Sequence, residues 1–138
     1  MSSSTYESLQ PLFRPETVAI IGASRSAGKH GNRPIGYLKR AGFAGEVYPI
    51  NPAGGEIEGY KVYESLAAAP RRIDCALMVI PATAALEAMR ECAAAGVRSV
   101  VMGNTGFSEL GTDEGREREA QVRRIAREAG IQIGRAHV

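Results

Sequence analysis

The sequence predicts an α/β fold: a three-layer parallel sheet with helices on both faces, truncated at its fifth strand. Three observations lead there. Short apolar or β-branched runs alternate with amphipathic helical patterns along the chain. The spacing suits strand–helix–strand units, which pair in parallel. The run "DCALMVI" is apolar almost throughout, as a strand covered on both faces must be.

Thr17 to Ile21, "TVAII", is a short β-branched run ended by Gly22 and reads as a buried first strand. Ile35 to Gly42 reads as a helix, with Pro34 in its first turn and Gly42 as its stop. Glu46 to Asn51, "EVYPIN", is the second strand; Pro49 removes one ladder donor and points to a strand end or a sheet edge. The Gly-rich stretch "PAGGEIEGY" reads as a loop, and "YESLAAA" as a short helical piece. Asp74 to Ile80 is the third strand, closed by Pro81. "ATAALEAMRECAAAG" is a helix with Leu86, Met89 and Ala93 on one face. Val97 to Met102 is the fourth strand, and "GNTGFSELG" a loop. The last helix has Thr112 as its cap and Val122, Ile125, Ala126 and Ala129 as its apolar stripe. "IQI" begins the fifth strand.

The chain has 138 residues, which fits one domain. The expected layout is a lead segment over 1–16, the domain over 17–133 and a tail over 134–138. A net charge of +2 is too small to argue for a nucleic-acid partner. Arg116, Arg118, Arg123, Arg124 and Arg127 alternate with Glu117, Glu119 and Glu128, which reads as a solvated helix face laced with ion pairs. No apolar run approaches a membrane span, and "MSSSTYESLQ" lacks the basic and apolar regions of a secretory signal. Cys75 and Cys92 read as reduced core residues, without metal-ligand spacing, so the expected location is the cytoplasm.

In an open parallel sheet, ligands bind beyond the carboxyl ends of the strands, where the strand order reverses. That rule selects the loops 22–31, 51–55, 81–82 and 103–108. The dinucleotide fingerprint G-x-G-x-x-G needs its middle glycine so that backbone can touch a pyrophosphate. Here Gly22 is followed by Ala23, Ser24, Arg25, Ser26, Ala27 and Gly28, with a serine at the middle position. The second strand ends in Asn51, where a binder of NAD places a carboxylate for the ribose hydroxyls. What remains is a loop with Ser24, Ser26, Arg25 and Lys29 ahead of a helix N-terminus, chemistry that suits a phosphate. A plain strand-to-helix turn whose polar residues face water is the competing reading. Pro81 as a mere strand terminator, Gly106 as a turn residue and Phe107 as core packing stay open in the same way. His30 has no carboxylate or cysteine close by in sequence and reads as an exposed loop residue.

Taken in order, "LFRPETVAIIGAS", "GFAGEVYPINP", "GYKVYESL", "DCALMVIPA", "ECAAAGVRSVVMGNTGFSE" and "AREAGIQI" resemble the CoA-binding domain of the NDP-forming acyl-CoA synthetases. That family includes the ADP-forming acetate–CoA ligases and is related to the succinyl-CoA synthetase alpha subunit. The resemblance runs from about Leu12 to Ile133 and rests on the order and spacing of the segments. It implies a Rossmann-like domain with coenzyme A lying across the strand ends. By that resemblance Ala23, Ser24, Arg25, Ser26, Ala27, Gly28 and Lys29 form the phosphate side. Ile50, Asn51 and Pro52 flank the nucleotide end. Ile80, Pro81 and Ala82 run along CoA by backbone, and Gly103, Asn104 and Thr105 approach the pantetheine.

Relatives commonly carry a lysine just after "INP"; here Ala53, Gly54 and Gly55 follow, so that phosphate contact either falls to Arg25 or Lys29 or is absent. No catalytic residue is expected in this chain. The resemblance puts the phosphoryl-carrying histidine, ATP or ADP and magnesium in other domains, and makes those domains or a ligase beta subunit the partners. Two alternatives remain: a stand-alone CoA-binding or regulatory module, such as one from an acetyltransferase fusion, and an NAD(P)-binding oxidoreductase domain.

The ending "IGRAHV" departs from the family, in which an apolar residue and a Gly-Pro-Asn-Cys turn follow. It back-translates into a run resembling a common sequencing-library adapter. The expectation is therefore that the natural sequence stops near Gln132, that the chain is a piece of a longer reading frame, and that His137 has no function. A sheet lacking its fifth strand, with one edge bare, would follow.

Overall fold

The computed structural model describes residues 14–23, 32–103 and 111–135. In chain order its strands are β1 (Thr17–Ile21), β2 (Glu46–Ile50), β3 (Glu56–Ile57), β4 (Tyr60–Lys61), β5 (Cys75–Met78), β6 (Ser99–Met102) and β7 (Gln132–Arg135). The helices are α1 (Arg33–Arg40), α2 (Ala82–Ala95) and α3 (Asp113–Ala129), with a 3₁₀ turn over Leu66–Ala68. Five strands form one sheet in the order β2-β1-β5-β6-β7, every neighbour parallel. The α/β expectation holds.

Alternation along the strands builds the layers. Ala19 and Ile21 of β1, Ala76 and Met78 of β5 and Val100 and Met102 of β6 face Met89 and Cys92 of α2 and Val122 and Ala126 of α3. Val18 and Ile20 face the other way, towards Val47 of β2, Ile35 of α1, and Ile57 and Val62 around the hairpin. Ile20 and Ile35 are fully buried, each contributing about 1.5–3 kcal/mol by leaving water. Pro34 starts α1, as its fixed φ favours. The Thr112 hydroxyl accepts from Gly115 N at 3.0 Å and caps α3, with Asp113 and Glu114 in the first turn and Arg127 in the last, complementing the helix dipole. Arg116 pairs with Asp113 on the exposed face, and the exposed Arg123 pairs with the half-buried Glu119. Of the expected α3 stripe, Val122 and Ala126 are buried and Ile125 half-buried, while Ala129, the last helical residue, is exposed.

The amino end of the sheet is pinned by polar side chains. The buried Thr17 hydroxyl donates to Arg72 O at 2.7 Å and accepts from Asp74 N at 2.8 Å. The buried Ser99 hydroxyl donates to Asp74 O at 2.8 Å. The starts of β1, β5 and β6 are thereby tied together. Cys75 and Cys92 are free and buried; burial pushes the Cys75 thiol up and the Cys92 thiol up to about 12.

Two expectations need correction. Residues 56–60, read as loop, belong with Lys61 to the β3–β4 hairpin, whose two-residue strands are too short to show a period. The fifth strand is present: Gln132–Arg135 pairs along its whole length with Ser99–Met102. Parallel pairing needs only backbone groups, so Gly134 and Arg135 join the ladder although their side chains carry no strand signal. The opposite edge strand, β2, contains Pro49 as expected. It is met by an extended residue: Tyr63 N donates to Pro49 O at 2.9 Å, and Asn51 N to Tyr63 O at 3.0 Å.

Candidate functional site

From β1 the chain goes to β2 on one side, then crosses to β5 on the other. The strand order therefore reverses between β1 and β5, which opens a crevice at their carboxyl ends. Gly22 leaves β1 into that crevice with φ +89. A Cβ there would overlap the Val79 carbonyl oxygen and stand 2.7 Å from Ile80 Cγ2. Val79 N donates to Ile21 O at 2.9 Å, so the backbones leaving β1 and β5 are in direct contact. The sequence marks Gly22 as a strand terminator and the first glycine of a candidate ligand loop; its contact with Val79 comes from strand order.

Asn51 joins the end of β2 to the same place. Its side-chain Nδ2 donates to Ala23 O at 2.9 Å, and its Oδ1 accepts from Ala53 N at 2.8 Å. Ala23 N donates to Ile50 O at 3.2 Å, and Gly54 N to Asn51 O at 3.0 Å. Ala23 is buried, Asn51 half-buried and Pro52 exposed. Beyond β5, Ile80 is half-buried and Pro81 exposed, while Ala82 is buried as the first residue of α2. Gly103 follows β6 and donates its N–H to Met78 O at 3.0 Å.

Ala23, Asn51 and Ile80 thus come together at the switch point, with Pro52, Pro81 and Ala82 next to them along the chain and Gly103 one strand away. Ser24, Arg25, Ser26, Ala27, Gly28, Lys29, His30, Asn104, Thr105, Gly106 and Phe107 lie outside the described residues.

The helix starts carry the local electrostatics. α1 and α2 have no acidic residue in the first turn and no side-chain cap; α2 begins on Pro81, which has no hydroxyl or carboxylate to offer. α3, whose start is Thr112-Asp113-Glu114, is filled with acceptor groups. Two of the three described helices therefore start without an acidic group of their own in the first turn, and their positive dipole ends suit an anion at the strand ends. With the close approach permitted by Gly22, the described residues fit a phosphate-bearing ligand.

Residues 16–137 match the family model described as CoA binding domain. The chain belongs to the CoA-binding domain family. Over 129 residues it is 42% identical to acetate–CoA ligase [ADP-forming] II of Archaeoglobus fulgidus, covering 94% of this chain and 19% of that relative. It is 41% identical over 130 residues to acetate–CoA ligase [ADP-forming] I subunit alpha of Pyrococcus furiosus, covering 91% of this chain and 28% of the relative. The fold matches the dinucleotide-forming acetyl-coenzyme A synthetase 1 of Ca. Korarchaeum cryptofilum, solved with phosphate and ADP. That match has a TM-score of 0.86 and 34% identity, over 91% of this chain and 26% of that one. This CoA-binding domain is homologous to ADP-forming acetate–CoA ligases and spans 19% and 28% of the length of those two relatives. No helix among the described residues is long and apolar enough to cross a membrane.

Proposed function

We propose that residues 17–133 hold coenzyme A across the carboxyl ends of β1, β2, β5 and β6, as the CoA-binding part of a cytoplasmic ADP-forming acetate–CoA ligase. The observation that carries this reading is the meeting of the β1, β2 and β5 ends at Gly22, Asn51 and Val79 in a chain of the CoA-binding family. Ser24, Arg25, Ser26, Ala27, Gly28 and Lys29 serve the phosphates, beside Ala23. Asn51 and Pro52 flank the nucleotide end, Ile80, Pro81 and Ala82 run along the ligand, and Gly103, Asn104 and Thr105 serve the pantetheine. When bound, CoA supplies the thiol that accepts an acyl group. ATP or ADP, magnesium and the phosphoryl-carrying histidine belong to partner domains or a beta subunit.

Calorimetry with CoA, dephospho-CoA and NAD tests the reading. CoA is expected to bind and NAD to bind little; tighter binding of NAD overturns it. Arg25→Ala or Lys29→Ala is expected to weaken CoA by about 1–3 kcal/mol, the size of a charge-assisted bond. Added salt should weaken the wild type more than either variant. Given acetate, ATP, magnesium and CoA, the chain alone should form no acetyl-CoA above the buffer control. Turnover abolished by His30→Ala would contradict that division of labour.

A further inference from the structure

We infer that Asn51 is a positioning residue of the proposed CoA site, acting through the Ala23 peptide, and that its place demands an amide and excludes a carboxylate. The inference rests on the CoA reading and adds how the first loop is aimed.

The hydrogen bonds fix the orientation of the side chain. Ala53 N can only donate, so the atom 2.8 Å from it must be Oδ1. The atom 2.9 Å from the Ala23 carbonyl is then Nδ2, a donor facing an acceptor. The backbone of Asn51 is engaged as well, its N–H on Tyr63 O and its carbonyl on Gly54 N. Each polar group of Asn51 therefore has a partner inside the protein. Residues 50 and 51 grip Ala23 on both sides, its N–H by Ile50 O and its carbonyl by the Asn51 amide. Ala23 is the last described residue after β1, so this grip sets the direction in which the chain leaves β1.

A carboxylate at 51 would keep the bond to Ala53 N but would set a charged acceptor against the Ala23 carbonyl oxygen. In an NAD-binding domain the carboxylate at the end of the second strand accepts ribose hydroxyls. Here that position already serves the fold. Asn51→Asp therefore loosens the hold on Ala23 and creates no ribose site.

A protonated aspartic acid can imitate the amide, its O–H donating to Ala23 O and its C=O accepting from Ala53 N. This gives a readout that loss of packing alone would not move. Among the described residues around position 51, β1 through Ala23 brings no titratable group, and neither do residues 52–55 or 79–82. The segment after β4 brings Tyr63 and Glu64, the latter 3.8 Å from where a Cβ on Gly54 would stand. Asn51→Ala shares all these neighbours, and those of the 24–31 loop, and serves as the control.

The experiment uses the full chain and three variants: Asn51→Asp, Asn51→Ala, and Thr17→Val at the far end of the sheet. Dephospho-CoA replaces CoA for the pH series, so that no phosphate monoester titrates. At about pH 8, Asn51→Asp and Asn51→Ala should bind about tenfold more weakly than the wild type, with Thr17→Val unchanged. At about pH 4, where an aspartic acid of ordinary value is about half protonated, Asn51→Asp should recover most of that loss relative to Asn51→Ala. Exchange of the Ala23 amide, referenced to Val100, should speed about tenfold in both Asn51 variants. Binding within about twofold of wild type, a gain in NAD affinity, or a folded Asn51→Asp that fails to recover each overturns the inference. If the wild type binds no CoA, the CoA reading fails on its own; the Ala23 exchange still decides whether Asn51 holds the loop.

Discussion

Gly22 lies so close to Val79 that a Cβ at residue 22 would overlap the Val79 carbonyl oxygen. The two residues are 57 positions apart in sequence and meet because β1 and β5 are paired neighbours whose ends define the switch point. Close backbone approach, left-handed φ and the crevice for the ligand are thus one feature of the fold.

Gly22→Ala is expected to cost about 2–5 kcal/mol, from forced overlap with backbone and from left-handed strain. Urea unfolding measures it. An unchanged midpoint would mean that the loops after β1 and β5 stand further apart than the Gly22–Val79 contact requires. In the folded fraction CoA should also bind more weakly, because relief of the overlap moves the loop that leaves β1.

Thr17→Val tests the opposite end. Valine preserves the shape but leaves Asp74 N without its acceptor and Arg72 O without its donor. A loss of about 1–3 kcal/mol is expected for polar groups stranded in a buried position. CoA affinity should not change, since Thr17 sits at the amino end of β1. A fall in affinity without a fall in stability would put the ligand at the wrong end of the sheet.

Much of this architecture was legible in the sequence. "TVAII" closed by Gly22 marks a buried strand because alternation has both faces covered, and Pro49 marks an edge because it lacks a donor. The hairpin was not legible. Its strands are two residues long, and the turn carries a glutamate at φ 51, against the usual preference. The full extent of β7 was hidden because backbone, not side chains, makes its ladder. Of the site, the uncharged Asn51 was visible as a departure from the NAD pattern. Its partner Ala23 lies 28 residues away, so the bond between them exists only once β1 and β2 pair.

Glu58→Asn should stabilise the domain. Glu58 and Gly59 both have positive φ, as a type I′ hairpin turn requires, and asparagine tolerates that region better than glutamate. Lys39 Nζ donates to the Glu58 backbone carbonyl at 2.7 Å, which the substitution leaves in place. A gain of up to about 1 kcal/mol is expected as a higher Tm. A lower Tm would show that the glutamate side chain makes a contact worth more than the strain.

The cysteines predict the alkaline limit of stability. Burial, the largest cause, holds the Cys92 thiol up to about 12, against an ordinary value of 9.0. Between those values the unfolded chain gives up the proton and the folded chain keeps it. The unfolded state then binds fewer protons, so unfolding becomes easier as pH rises. Stability from this group is complete below about pH 9 and is lost progressively towards about pH 12. Cys75, also raised mainly by burial, and Tyr48, raised to about 12 by burial and then by its hydrogen bond to Glu46, act in the same direction. Urea midpoints taken upward from pH 9 should therefore fall, and Cys92→Ala, though less stable at neutral pH from its cavity, should fall less steeply. A thiol reagent at mildly alkaline pH should find both cysteines unreactive in the native protein and reactive in urea. Prompt native labelling of Cys92, or equal slopes for wild type and Cys92→Ala, would show that the thiol is not buried as the α2 packing places it.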